Sequence, residues 1–134
     1  MNLFVDTSVW SLALRRDSPR ETPEVQRLRA ALLGDAVYTT GLVLQELLQG
    51  FHGPRAQAQI IERFTVIATL VPTREDHIDA ARLRNACRCR GIQVGTIDAL
   101  LAHLCITHEL VMLSTDADFR LIADWTPLRL WRAA

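Results

Sequence analysis

Four carboxylates fall where chemistry could be done. Asp6 stops the apolar run of LFVDTS (3 to 8), Glu46 lies inside TTGLVLQELLQG (39 to 50), Asp98 opens the apolar part of GIQVGTIDALLAH (91 to 103), and Asp116 follows LVMLST, with Asp118 two residues on. Each has a bland reading when taken singly. Asp6 would cap the helix after it, Asp98 would complement a helix dipole, and Glu46 would face solvent. Glu46 resists this most, since it falls within ~100° of the stripe formed by Leu44, Leu47 and Leu48 on a 3.6-residue wheel.

Gathered in one place, such acids raise one another's pKa and destabilise the fold unless a divalent cation neutralises them. All-oxygen ligation suits Mg²⁺ or Mn²⁺ rather than Zn²⁺. Such an ion polarises a phosphate, lowers the pKa of a bound water and orients its attack. The constellation therefore points to a metal-dependent nuclease or phosphohydrolase.

The elements that must position these residues alternate. Strand-like runs occur at 3–5, 36–38, 66–71 and 110–114, with a weaker one at 128–130. Helical spacing fills 24–33, 42–51, 54–64, 74–90, 96–108 and 118–124, with Thr39 or Thr40 as one N-cap and Thr96 as another. The glycines of GIQVG (91 to 95) supply a helix stop and a turn. The charged, proline-containing stretch 15–24 reads as a solvated loop or helix-starting turn.

This pattern predicts an α/β fold, a central and mostly parallel sheet of four to five strands flanked by helices on both faces. Ligands bind such sheets outside the carboxyl ends of the strands, where Asp6 and Asp116 fall.

The 134 residues form one expected domain (1–134), long enough to bury roughly two thirds of the unfolded surface. A composition 49% hydrophobic and 22% charged excludes a disordered tail. No run approaches the ~20 apolar residues of a membrane helix and no basic leader is present, so no membrane and a cytoplasmic location are expected. Cys87, Cys89 and Cys105 are odd in number and lack the second pair of a zinc site, so free thiols are expected.

The 15 basic residues, all arginine, balance 15 acidic ones. No global field draws the chain to nucleic acid, and weak non-specific RNA binding is expected. Arg15 and Arg16 follow the first acidic motif and are the candidate RNA contacts, whereas Arg84 and Arg88 share a helix face that reads first as solvated charge. The absence of lysine excludes a receiver domain, and Ser8 stands where HAD-type phosphatases need a second Asp. The four histidines form no nucleophile motif, and the three tryptophans read as core or interface residues.

The stretches VDTS, TTGLVLQELLQG, GIQVGTIDALLAH and LVMLSTDADF, in this order and spread over the whole chain, resemble the PIN-domain family and within it the VapC-type ribonuclease toxins. The resemblance implies a compact α/β domain whose acidic pocket binds Mg²⁺ or Mn²⁺ through Asp6, Glu46, Asp98 and Asp116, with Asp118 as an additional acid. Thr7, Ser8 and Thr115 adjoin these acids as hydroxyl support.

It further implies RNA cleavage by a metal-activated water, with structured RNA such as tRNA as substrate. A homodimer and a small VapB-type antitoxin that occludes the pocket are implied as well. Glu109 departs from the pattern by standing where the family commonly has Gly. A non-catalytic PIN-like protein- or RNA-binding module, or a metal-dependent phosphohydrolase, are the alternatives.

Overall fold

The computed structural model describes residues 1–15 and 21–133. Five strands, β1 (Asn2–Val5), β2 (Ala36–Thr40), β3 (Ala68–Leu70), β4 (Val111–Leu113) and β5 (Arg129–Leu130), form one sheet in the order β3-β2-β1-β4-β5. Every adjacent pair is parallel, with Leu3 opposite both Val37 and Val111. β1 is therefore central, and its Leu3, Phe4 and Val5 are fully buried, as a strand covered on two faces requires.

Seven helices join the strands among the described residues: α1 (Thr7–Leu14), α2 (Pro23–Gly34), α3 (Gly41–Gly50), α4 (Pro54–Phe64), α5 (Arg74–Cys89), α6 (Thr96–Thr107) and α7 (Asp118–Ala123). The chain builds outward from β1 to β2 and β3, then returns through α5 and α6 to β4 on the other side of β1. Right-handed crossovers running in opposite directions place their helices on opposite faces of the sheet. The packing agrees: α1 lies against α2 and α3, α3 against α4, and α5 against α6, which also meets α7. The expected fold class is the observed one.

Some expected boundaries shift for local reasons. The strand expected from residue 66 starts at Ala68, because Thr65 N–H and Ile67 N–H bond back to the carbonyls of Glu62 and Phe64 and wind the chain past the end of α4. The N-cap of α6 is Gly95 rather than Thr96, since the Gly95 carbonyl already accepts from Ala99 N–H at 3.0 Å. The expected cap of α3 is Thr40, whose hydroxyl accepts from Val43 N–H.

Helices α5 and α6 end alike. Ile92 N–H reaches Cys87 O and Gly91 N–H reaches Arg88 O after α5, while Leu110 N–H reaches Cys105 O and Glu109 N–H reaches Ile106 O after α6. Gly91 (φ 76°) and Glu109 (φ 54°) take the left-handed position, which makes both ends Schellman closures. Among the described residues no helix is long and apolar enough to cross a membrane.

Candidate active site

The order of strands reverses direction between β1 and β4, and the carboxyl ends of these two neighbours open the crevice where parallel sheets bind ligands. Asp6 follows β1 directly and its N–H bonds to Leu113 O at the end of β4. It occupies the N-cap position of α1, but its side chain makes no capping bond. Instead Asp6 Oδ2 accepts from Ser8 Oγ (2.9 Å) and Ser114 Oγ (2.8 Å), so the capping role expected of a lone acid is not the one it has. Asp6 is 8% exposed, buried among apolar neighbours yet open at the edge.

Glu46 is half-buried on α3, and its Oε1 accepts from Thr7 Oγ1 at 3.0 Å. That bond ties the second acidic stretch to the first residue of α1. Asp98 stands in the first turn of α6, whose N-cap Gly95 has no side chain to cap with, and the helix dipole favours its charge there. Asp116 in the turn after β4 and Asp118 at the start of α7 are exposed, with Asp118 N–H donating to Asp116 Oδ1 at 2.9 Å. Asp116 N–H in turn donates to Ser114 Oγ at 3.0 Å.

These acids share one electrostatic field. The Asp98 carboxyl is pushed up to about 6, first by burial and then by the charges of Asp6, Asp116, Glu46 and Asp118. Among the described residues none of the five is in an ion pair with an arginine, a histidine or the N-terminus. The five carboxylates thus repel across the crevice. Among the described residues no three His, Cys, Asp or Glu side chains stand close enough to hold a metal ion as they are. They form a common electrostatic field rather than a closed chelate. An all-carboxylate donor set of this kind fits a hard divalent ion.

The hydroxyls are distributed differently from expectation. Thr7 and Ser8 touch the acids, on Glu46 and Asp6. Thr115 supplies its backbone N–H to Ser8 Oγ (3.1 Å), and the hydroxyl expected from it comes from Ser114. Sequence reasoning misses Ser114 because it closes an apolar run, where a serine looks like a mere strand end. The turn-forming sequence S-T-D after that run is the available signal. Arg15 is exposed at the C-cap of α1, at the end of the helix away from Asp6. An eight-residue helix separates its two ends by roughly 12 Å along the axis. Arg16 lies outside the described residues.

A parallel α/β sheet with carboxylates gathered at its reversal point sets them where sheets of this class bind their ligands. Residues 3–124 match the family model of the PIN domain, and the chain belongs to the PIN-domain family.

The fold is similar to that of VapBC2 from Rickettsia felis bound to a DNA fragment from their promoter, at 17% identity over all of both chains and a TM-score of 0.77. It is also similar to DNA-bound VapBC from Salmonella typhimurium, with 18% identity, 98% and 97% coverage and a TM-score of 0.76. VapC20 of Mycobacterium tuberculosis, a sarcin-ricin loop cleaving toxin, matches at 24% identity over 95% of this chain and 98% of that one, with a TM-score of 0.70. Among curated proteins none matches in sequence.

Proposed function

We propose that this chain is a Mg²⁺-dependent endoribonuclease, with Mn²⁺ as an alternative ion, that hydrolyses RNA phosphodiester bonds as the toxin of a type II toxin–antitoxin pair. The observation that carries the reading is the sheet edge where Ser8 and Ser114 hold Asp6 against the strand that delivers Asp116, and where Thr7 ties Glu46 of α3 to the same edge. Asp6, Glu46, Asp98 and Asp116 would hold the ion, and Asp118 would hold a second ion or orient water. The ion would supply charge neutralisation at the phosphate and a water acidified enough to attack it.

The chain's own residues do the positioning. Ser8 and Ser114 fix one oxygen of Asp6, which leaves the other for the crevice's contents. Thr7 holds one oxygen of Glu46 in the same way. Membership of the PIN-domain family and the likeness to solved VapBC assemblies support the toxin role. A VapB-type antitoxin, a homodimer, a structured RNA such as tRNA, a cytoplasmic setting and a single domain over 1–134 complete the reading. Arg15 and Arg16 stay in it as RNA contacts.

The separation of the acids favours a second reading, a non-catalytic PIN-like module that binds protein or RNA. One experiment decides between them. RNA is incubated with wild type and Asp6→Asn in Mg²⁺, Mn²⁺ or EDTA, and product ends are sequenced. Cleavage by wild type that leaves 5′-phosphate ends and needs the ion is expected, with Asp6→Asn inactive. Equal product from the two proteins would defeat the catalytic reading.

A further inference from the structure

Beside the acid crevice lies an open groove of about 510 Å³ lined by Arg84, Arg88, Ile92, Gln93, Val94 and Gly95. One wall is the last turns of α5, where Arg84 and Arg88 stand one helical turn apart and share a face. The other is the loop leading into α6. Arg84 is half-buried, and its Nε donates to Val94 O at 2.8 Å, which fixes the guanidinium against that loop. Arg88 is exposed. Among the described residues neither is in an ion pair with a carboxylate, although Arg27, Arg29, Arg74 and Arg82 each are. Arg90, two residues on, is used differently, with its guanidinium 4.3 Å from the centroid of the Trp125 ring.

The groove and the crevice adjoin. A side-chain carbon placed on Gly95, which lines the groove, would stand 4.0 Å from Asp98 Oδ2. Two arginines that no described carboxylate neutralises therefore line a groove whose Gly95 end stands beside Asp98. Arginine forks suit phosphate bidentately. With net charge zero over the chain, phosphate affinity has to come from such a local arrangement.

We infer that the Arg84–Arg88 groove seats the phosphate backbone of single-stranded RNA as it approaches the acids, an assignment that rests on the nuclease reading above. An occupant of both places must offer anions to the arginines and a scissile phosphate to the crevice. A phosphodiester backbone does both with one repeating group, since an ion held by the acids would attract its phosphate, whereas an acidic peptide has no scissile phosphate to offer. Arg88 carries the contact, and Arg84, held by Val94, sets the line of the groove.

The test reads binding and not cleavage, so its failure is separable from failure of the nuclease reading. A 5′-labelled short single-stranded RNA is titrated in EDTA by fluorescence anisotropy against wild type, Arg88→Gln, Arg88→Glu and, as a control on another helix, Arg63→Gln. Arg88→Gln should weaken Kd about 3- to 10-fold, with Arg88→Glu weaker still. The slope of log K against log salt should become shallower by about 0.7 for the lost contact. Arg63→Gln should match wild type.

Unchanged Kd and slope in both Arg88 variants would overturn the assignment. So would unchanged RNA binding together with loss of binding to polyglutamate, which would give the groove to an acidic protein segment. Loss of RNA affinity in the Arg88 variants of a protein that cleaves nothing would uphold the groove and remove the nuclease reading alone.

Discussion

Ser114 Oγ stands 2.8 Å from Asp6 Oδ2, joining residues 108 apart in sequence across the carboxyl ends of β1 and β4. The bond locks the first acid to the strand that delivers Asp116 and Asp118. Ser114→Ala removes one of two hydroxyl donors to Asp6 and leaves Asp116 N–H without its acceptor. Loss of support of this kind costs roughly 10- to 100-fold in metal affinity or activity. We expect Ser114→Ala to need more Mg²⁺ for half-maximal RNA cleavage while its melting temperature stays within a few degrees of wild type. An unchanged Mg²⁺ requirement would show that Ser8 alone orients Asp6.

Much of this edge is legible in the sequence because strand-terminal acids in a parallel sheet can go to only one side. Asp6 and Asp116 need no tertiary information beyond the alternation of strands and helices. The strand order is not legible, since nothing local says that β4 returns beside β1. The helix that Asp6 would cap is expected without bounds, because the apolar residues of TSVWSLAL, Val9, Trp10, Leu12, Ala13 and Leu14, fall on more than one face and blur its helical period. The groove of Arg84 and Arg88 escapes for another reason. Spacing places two arginines on one face, but only the fold shows that the face lies beside Asp98.

The twin helix closures give a stability prediction. Glu109 occupies the left-handed position that Gly91 fills in the matching motif, and a side chain there costs about 1 kcal/mol. Arg129 Nη2 binds the Glu109 carbonyl, a backbone contact that glycine would keep. Glu109→Gly should therefore stabilise the fold by about 0.5 kcal/mol, part of the gain being offset by a freer unfolded chain. Urea unfolding would register this as a higher midpoint at constant slope. A lower midpoint would mean that the Glu side chain makes up for its backbone strain.

Thiol chemistry tests the core beneath the site. Cys87 and Cys105 are buried and Cys89 is exposed. Burial pushes both buried thiols up, and the charge of Asp6 adds to the rise at Cys105. Reaction with a disulfide reagent should modify one thiol quickly in the native protein and all three after denaturation. Fast modification of more than one would place Cys87 or Cys105 nearer to solvent than their burial in α5 and α6 allows.

The raised Asp98 carboxyl makes the stability of the metal-free fold depend on pH in an unusual direction. Its folded value is about 6 against an ordinary 3.8, so between these two the folded state holds more proton than the unfolded. Stability must then fall as pH rises through that window, by roughly 1–2 kcal/mol once solvent screening is allowed for. Asp76 acts oppositely. Its carboxyl is held below 3.8 by the Thr73 N–H and then by His103, and that contribution is lost only on acidification below 3.8. Between about pH 4 and 6 the Asp98 effect is therefore unopposed by Asp76.

In EDTA, wild type should melt lower at about pH 7.5 than at about pH 5, and Asp98→Asn should narrow that gap by raising the higher-pH value. Mg²⁺ should raise the melting temperature of wild type more at about pH 7.5 than at about pH 5, because a protonated carboxyl does not ligate. Calorimetry at the two pH values, with and without Mg²⁺, measures all of this on one protein and one variant. A metal-free melting temperature that rises between them, with no response to Asp98→Asn, would mean that the acids do not feel one another.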